Sequence, residues 1–280
     1  MPPAPSPFNP QDDEDFVFRI VPRPVRTPRK MWRQPTPAIQ LALDSCSREV
    51  IIKAVPPGSL EAQILERLVS SPLRHLPENQ TIPVVSILHC DRATFLVHAR
   101  WGGWWFSPSP CTLSFWAGAQ ACQLLRGLAF MHDHGITHGD IYRGNIVCNF
   151  SELRTGTPCP VFDEFKNSAS YRVAFIDFGQ SPQFDEIGPH QIPCPRPIRG
   201  PPPGFRAPEL DQCTTFDPFS ADVFSLARLL LDLDPPVTIP AAYRILLDDM
   251  TDMNPSARPS ARVAFQRLQA LNEYHRAHWI

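Results

Sequence analysis

Glycine is scarce in this chain. Thirteen glycines stand against 34 prolines in 280 residues, and none lies between Phe16 and Lys53. That balance implies few flexible loops and long extended connections. Basic charge is not in surplus either: the net charge of −2 excludes nucleic acid or anionic lipid as a charge-driven partner. No apolar run approaches the roughly 20 residues that a membrane helix needs. The start, Met1-Pro2-Pro3-Ala4-Pro5, lacks the basic-then-apolar pattern of a secretion signal. The expectation is an intracellular protein, cytoplasmic or nuclear, that is not secreted and has no membrane partner. Eight cysteines are present, but no two have the two-residue gap of a zinc knuckle or redox motif. They read as reduced thiols packed as small apolar groups.

Hydrophobic residues make up 43% and charged ones 19%, which describes a globular chain with a real core. Its length fits one large domain or two lobes. Residues 1–37 read as a proline-rich, solvated tail with an acidic knot at Asp12 to Asp15, in which only the Phe16 region could be a strand. Ala38 to Leu43 and Glu49 to Val55 read as paired strands, as do Val84 to Leu88 and Thr94 to Ala99. Residues 16–20 would supply a fifth. Ser59 can cap a helix with Leu60, Ile64, Leu65 and Leu68 on one face. Trp101 to Pro110 would cross into a second, mainly helical part or tuck onto the core as a surface loop. Apolar residues at helical spacing predict a long helix over Leu113 to His132. Further helices are predicted over 220–233, 241–252 and 259–273. Residues 151–170 read as an insertion between two short strands at 146–148 and 173–176.

The chemistry concentrates in His138-Gly139-Asp140-Ile141-Tyr142-Arg143-Gly144-Asn145 and, downstream, Ile176-Asp177-Phe178-Gly179. A carboxylate and an amide lie five residues apart, and a second carboxylate follows a predicted strand. That set suits phosphoryl transfer, with Asp140 as proton acceptor and Asn145 and Asp177 as hard oxygen ligands for magnesium. Arg206-Ala207-Pro208-Glu209, Asp222-Val223-Phe224-Ser225-Leu226 and Asn254-Pro255-Ser256-Ala257-Arg258-Pro259 continue the order, and Val50-Ile51-Ile52-Lys53 precedes it.

In these motifs the chain resembles the eukaryotic-type protein kinase family over residues 38 to 272. Lys53-Ala54-Val55, Gly58-Ser59, Thr81-Ile82-Pro83-Val84 and Arg100-Trp101-Gly102 make it most similar to the short kinase-like proteins of basidiomycete fungi. The resemblance implies an α+β, bilobal protein-kinase-like fold. Residues 38–100 would form a small antiparallel-sheet lobe with one helix, and 101–280 a mainly helical lobe with an activation segment at 177–209. It implies ATP and Mg2+ as cofactors, a protein substrate or binding partner, and a monomer. Asp140 would be the base. Lys53, Glu61, Val97 and Asp177 would bind nucleotide, and Asn145 with Asp177 the metal. Glu61 would pair with Lys53, with Glu66 as its competitor; a strand-end lysine reaching water is the plain alternative for Lys53. His138 would pack against Phe178, Glu209 would pair with Arg258, and Asp222 would hold the loop backbone.

The chain departs from that family in several places. The glycine-rich phosphate loop is missing, Ile51 stands for a small alanine, and Tyr142 stands for the loop lysine, with neighbouring Arg143 as a candidate substitute. Gly139 replaces an arginine that answers a phosphate on the activation segment. Pro182 to Glu209 contains no serine, threonine or tyrosine, so control by phosphorylation of that stretch is not expected. Three functions follow: a Ser/Thr protein kinase, a pseudokinase that binds or scaffolds, or a small-molecule phosphotransferase.

Overall fold

Alternating apolar strands assemble first into an antiparallel sheet. The computed structural model describes residues 19–20, 38–44, 48–103, 113–149, 172–185, 190–195, 200–232 and 239–278. Strands β1 (Arg19–Ile20), β2 (Ile39–Leu43), β3 (Glu49–Val55), β4 (Val84–His89) and β5 (Thr94–Ala99) lie in the order β1-β2-β3-β5-β4. Arg19 and Ile20 pair with Leu43 and Ala42. Part of the segment expected to be a tail therefore covers the edge that β2 would otherwise leave open.

Cross-strand register decides what each face carries. Lys53 lies opposite Leu96, and Ile51 opposite His98. On that face packs α1 (Leu60–Val69), whose Ala62, Ile64, Leu65 and Leu68 bury against Val55, Val84 and Leu96. Ser59 caps this helix by accepting a bond from the Ala62 amide. The other face gathers Ala42, Val50, Val85 and Val97 into a separate cluster.

The C-terminal part is helical. It comprises α2 (Leu113–Asp133), α3 (Glu209–Gln212), α4 (Pro218–Asp232), α5 (Ala241–Met250) and α6 (Ala261–His278). α2 packs along α6 and against α4, and α5 contacts both α4 and α6. Leu124, Leu125, Leu128 and Met131 of α2 are fully buried in one core with Leu226, Leu229, Met250 and Ala264. Short strands β6 (Gly102–Gly103), β7 (Ile146–Cys148) and β8 (Val173–Phe175) form a small sheet against α2, and β9 (Ile192–Pro193) pairs with β10 (Thr215–Phe216). The chain is thus α+β, with its antiparallel sheet N-terminal and its helices C-terminal.

The helices expected in the C-terminal part form within a few residues of their expected ends. The insertion expected at 151–170 lies outside the described residues, as do most of 1–37 and the tryptophan-rich crossing at 104–110. None of the five described cysteines forms a disulfide. Among the described residues no helix is long and apolar enough to cross a membrane.

Candidate active site

The register of β7 and β8 brings the two halves of the sequence motif together. Ile146 pairs with Phe175, and the Ile176 amide donates to the Asn145 carbonyl at 3.0 Å. Asn145, just before β7, and Asp177, just after β8, therefore emerge at the same end of the pair. Asn145 is buried and its Nδ2 donates to Asp140 twice, to the carbonyl at 2.9 Å and to Oδ2 at 2.8 Å. The Asp140 carboxylate is thereby held in one orientation.

His138 joins the 138–145 loop to the strand that carries Asp177. Its Nδ1 accepts from the Asp140 amide at 3.2 Å, and its Nε2 donates to the Ile176 carbonyl at 3.1 Å. The ring is fully buried between Phe175 and Phe178, with centroids 5.5 and 5.3 Å away. Beneath it, the buried Asp222 accepts from the amides of His138 (2.6 Å) and Gly139 (2.9 Å) and from His132 Nε2 (3.2 Å). One carboxylate on α4 thus satisfies two loop amides that no backbone carbonyl reaches.

Lys53 reaches the same place from the sheet. Its ammonium donates to Glu61 Oε1 at 2.6 Å and to Asp177 Oδ1 at 2.8 Å. Glu61 is buried, whereas Glu66 faces out and meets His89. Burial works against the Lys53 charge, but Glu61 and then Asp177 outweigh it and hold its pKa above the ordinary lysine value. Burial likewise raises the Asp177 carboxyl, yet the Lys53 ammonium and the Gly179 amide bring it below the usual range. Asp177 adopts φ 66°, and its side chain is about half exposed, 48%. That left-handed backbone turns the carboxylate toward open space.

Lys53, Glu61 and Asp177 meet directly, and Asp140 and Asn145 are bonded beside them. Val97 does not join them. It lies opposite Ile52 on the far face of the sheet, fully buried with Ala42, Val50 and Val85. The strand's two-residue period gives its place to His98. The Arg143 guanidinium makes a solvent-exposed ion pair with Asp232 at the end of α4, at 2.6 Å. His98 was missed because Leu96 on its own face and Phe95, Val97 and Ala99 on the other blur the alternation of Thr94 to Ala99. Its pairing with Ile51 is the signal that would have found it.

The segment after Asp177 lies directly on the 138–145 loop. Gly139 has φ 73°, and a Cβ there would fall 2.4 Å from the Gln180 carbonyl oxygen. A Cβ on Gly200 would fall 2.8 Å from the Gly139 carbonyl oxygen. No side chain fits at 139, which is the structural reason for glycine there. Ser181 is buried and donates to the His138 carbonyl at 2.8 Å. Further on, Glu209 and Arg258 form a buried two-pronged ion pair at 2.7 and 2.8 Å. An apolar cavity of about 190 Å³ lies under this segment, lined by Pro182, Ile192, Pro201, Leu210 and Phe216.

Asn145 and Asp177 fit magnesium by donor type, because that ion takes a few carboxyl and amide oxygens and completes its shell with phosphate or water. With the Asn145 Nδ2 turned to Asp140, its amide oxygen is the atom left to serve. Among the described residues no cluster of three or more His, Cys, Asp or Glu side chains could hold a metal by itself. In comparisons with known proteins, no family model matches the chain and no curated protein matches it.

Proposed function

We propose that the chain is a protein-kinase-like phosphotransferase, bilobal in fold, that moves the γ-phosphate of Mg-ATP to a serine or threonine hydroxyl of a protein. The observation that carries this reading is the meeting of Lys53, Glu61 and Asp177 beside the Asn145-held Asp140. Asp140 accepts the hydroxyl proton as the new O–P bond forms and the bond to the leaving diphosphate breaks. Asn145 keeps its carboxylate aimed, so the rate gain comes from positioning more than from a shifted acid strength. Lys53, braced by Glu61, holds the transferred phosphate's neighbours. Magnesium, held by Asn145 and Asp177 when bound, neutralises charge on the phosphate oxygens. The buried Glu209–Arg258 pair supports a protein substrate over a small molecule, because it anchors the Ala207-Pro208-Glu209 segment that the small-molecule phosphotransferases lack.

A second reading, a pseudokinase that binds without transfer, is favoured by one observation: Arg143 is committed to Asp232, leaving Tyr142 in the place of the loop lysine. Thermal melting with and without Mg-ATP, beside Asp177→Ala, tests nucleotide binding. A ligand at a hundredfold over its Kd stabilises by about 2.7 kcal/mol. The expected result is a magnesium-dependent rise that Asp177→Ala abolishes, and phosphate transfer that Asp140→Asn abolishes. No shift at millimolar ATP refutes the nucleotide reading. A shift without transfer selects the pseudokinase.

A further inference from the structure

The cavity beneath the 180–201 segment is left unused by the phosphoryl-transfer chemistry. Its volume of about 190 Å³ exceeds the roughly 150 Å³ that holds a benzene-sized guest in an apolar protein interior. The space exists because short residues border it: Gly139, Gly200, Ala207, Ala221 and Ser225. A Cβ at 139 would fall 2.4 Å from the Gln180 carbonyl oxygen, and Gln180 is itself part of the lining. Proline rings, Leu210 and Phe216 keep the remaining wall apolar.

Charge decides what the cavity can take. Among the described lining residues there is no lysine, arginine or histidine, so an anion finds no partner there. Asp222, 2% exposed, supplies the one charge. Its Oδ2 accepts from the His138 amide and from His132 Nε2, whereas Oδ1, among the described residues, accepts from the Gly139 amide alone. A carboxylate oxygen takes about two bonds, so Oδ1 keeps one acceptor position. One turn along α4, the buried Ser225 hydroxyl keeps an acceptor lone pair whatever it donates to. Three donors already meet the Asp222 charge. A neutral N–H therefore suits this position, whereas a buried ammonium would cost its hydration.

We propose that this cavity binds a small neutral aromatic molecule of the indole class, with its rings against Phe216 and the prolines and its N–H donating to Asp222 Oδ1. The site stands apart from the nucleotide reading, since none of Lys53, Glu61, Asn145 and Asp177 lines it. Its occupant nevertheless touches Gly139, next to Asp140, and the carboxylate that holds the His138 and Gly139 amides. A guest there ties the 180–201 segment to the loop that carries Asp140. The cavity is thus a site for regulation by a small metabolite and not for the reacting substrate.

The test is ligand-observed NMR titration of the full chain with indole, benzofuran and N-acetyltryptophanamide. Benzofuran has the shape of indole without the N–H, and the amide carries indole on a peptide-like frame. Ala221→Leu and Leu210→Phe fill the cavity from α4 and from α3, and whichever keeps its fold by circular dichroism is the control. The expected result is saturable indole binding, about tenfold weaker benzofuran binding from the loss of one hydrogen bond to a charged group, and loss of both in the filled variants. Equal affinity for indole and benzofuran overturns the Asp222 contact. No indole binding, or binding that survives the filling, overturns the site. Preference for the amide over indole assigns the cavity to a side chain of a protein partner and overturns the small-molecule assignment.

Discussion

Arg258→Met should be among the most damaging single substitutions in the helical part. The Arg258 side chain is wholly buried and that of Glu209 is 6% exposed, and the two meet through both guanidinium nitrogens. Arg258 also donates to the Asp252 carbonyl at 2.8 Å and the Ser220 carbonyl at 3.1 Å, and lies 4.8 Å from the Phe224 ring centroid. Methionine replaces the stem and its packing but leaves the Glu209 carboxylate buried without a counter-charge. Breaking such a pair from one side costs about 3–5 kcal/mol. At this chain length that lowers Tm by roughly 6–10 °C. Removing both charges in Glu209→Leu with Arg258→Met takes away the orphaned carboxylate. The remaining cost is two carbonyls without a donor, about 2 kcal/mol. The double variant should therefore be more stable than Arg258→Met alone. Urea unfolding followed by circular dichroism measures all three, with the denaturant slope as the check that only stability changed. A single-variant cost under about 1 kcal/mol, or a double variant that costs the sum of the singles, refutes the reasoning.

Other perturbations address the loop and the sheet. Gly139→Ala should destabilise by about 1–3 kcal/mol, because a left-handed backbone and a 2.4 Å approach to the Gln180 carbonyl leave no room for Cβ; a neutral outcome in denaturant unfolding would show that the loop and the segment over it separate readily. Asp222→Ala strands the His138 and Gly139 amides and should cost about 2–4 kcal/mol, while Asp222→Asn, keeping one acceptor, should cost clearly less in the same measurement. For His98 the folded pKa is depressed to about 4 from 6.5. The unfolded chain then binds the proton first, so stability is complete above pH 6.5 and falls by about 3 kcal/mol as the pH drops to 4. His98→Leu should flatten the pH dependence of Tm across that window, and an unchanged slope would contradict the neutral ring. At the other extreme, Lys53 has a raised pKa, so its contribution is present below the ordinary lysine value and is lost as pH rises through the folded one. Lys53→Met should remove that alkaline loss in the same melting series.

Local rules carried much of this protein in the sequence. Ser59 before Leu60, Ile64, Leu65 and Leu68 specifies a capped helix with one apolar face, because cap and periodicity act within a few residues. Apolar spacing does the same for α2, and the spacing of Asp140 and Asn145 placed both on one loop. The choice of Glu61 over Glu66 was also legible, since helical phase alone puts the first toward the sheet and the second toward water.

Tertiary structure decided what depends on partners far along the chain. Val97 and His98 are neighbours on a strand with apolar residues on both faces, so alternation could not say which one faces Lys53; the register with Ile51 and Ile52 did. Arg143 was claimed by Asp232, 89 positions away, through a contact that no local pattern encodes. In the sequence Gly139 stood out only against a family resemblance, but the reason for it lies in the Gln180 carbonyl packed against it. Short-range preferences set which elements form and which residues carry chemistry. Which of those residues meet is set by register and long-range packing, because only the folded chain brings distant groups within the few ångströms over which hydrogen bonds and buried charges act.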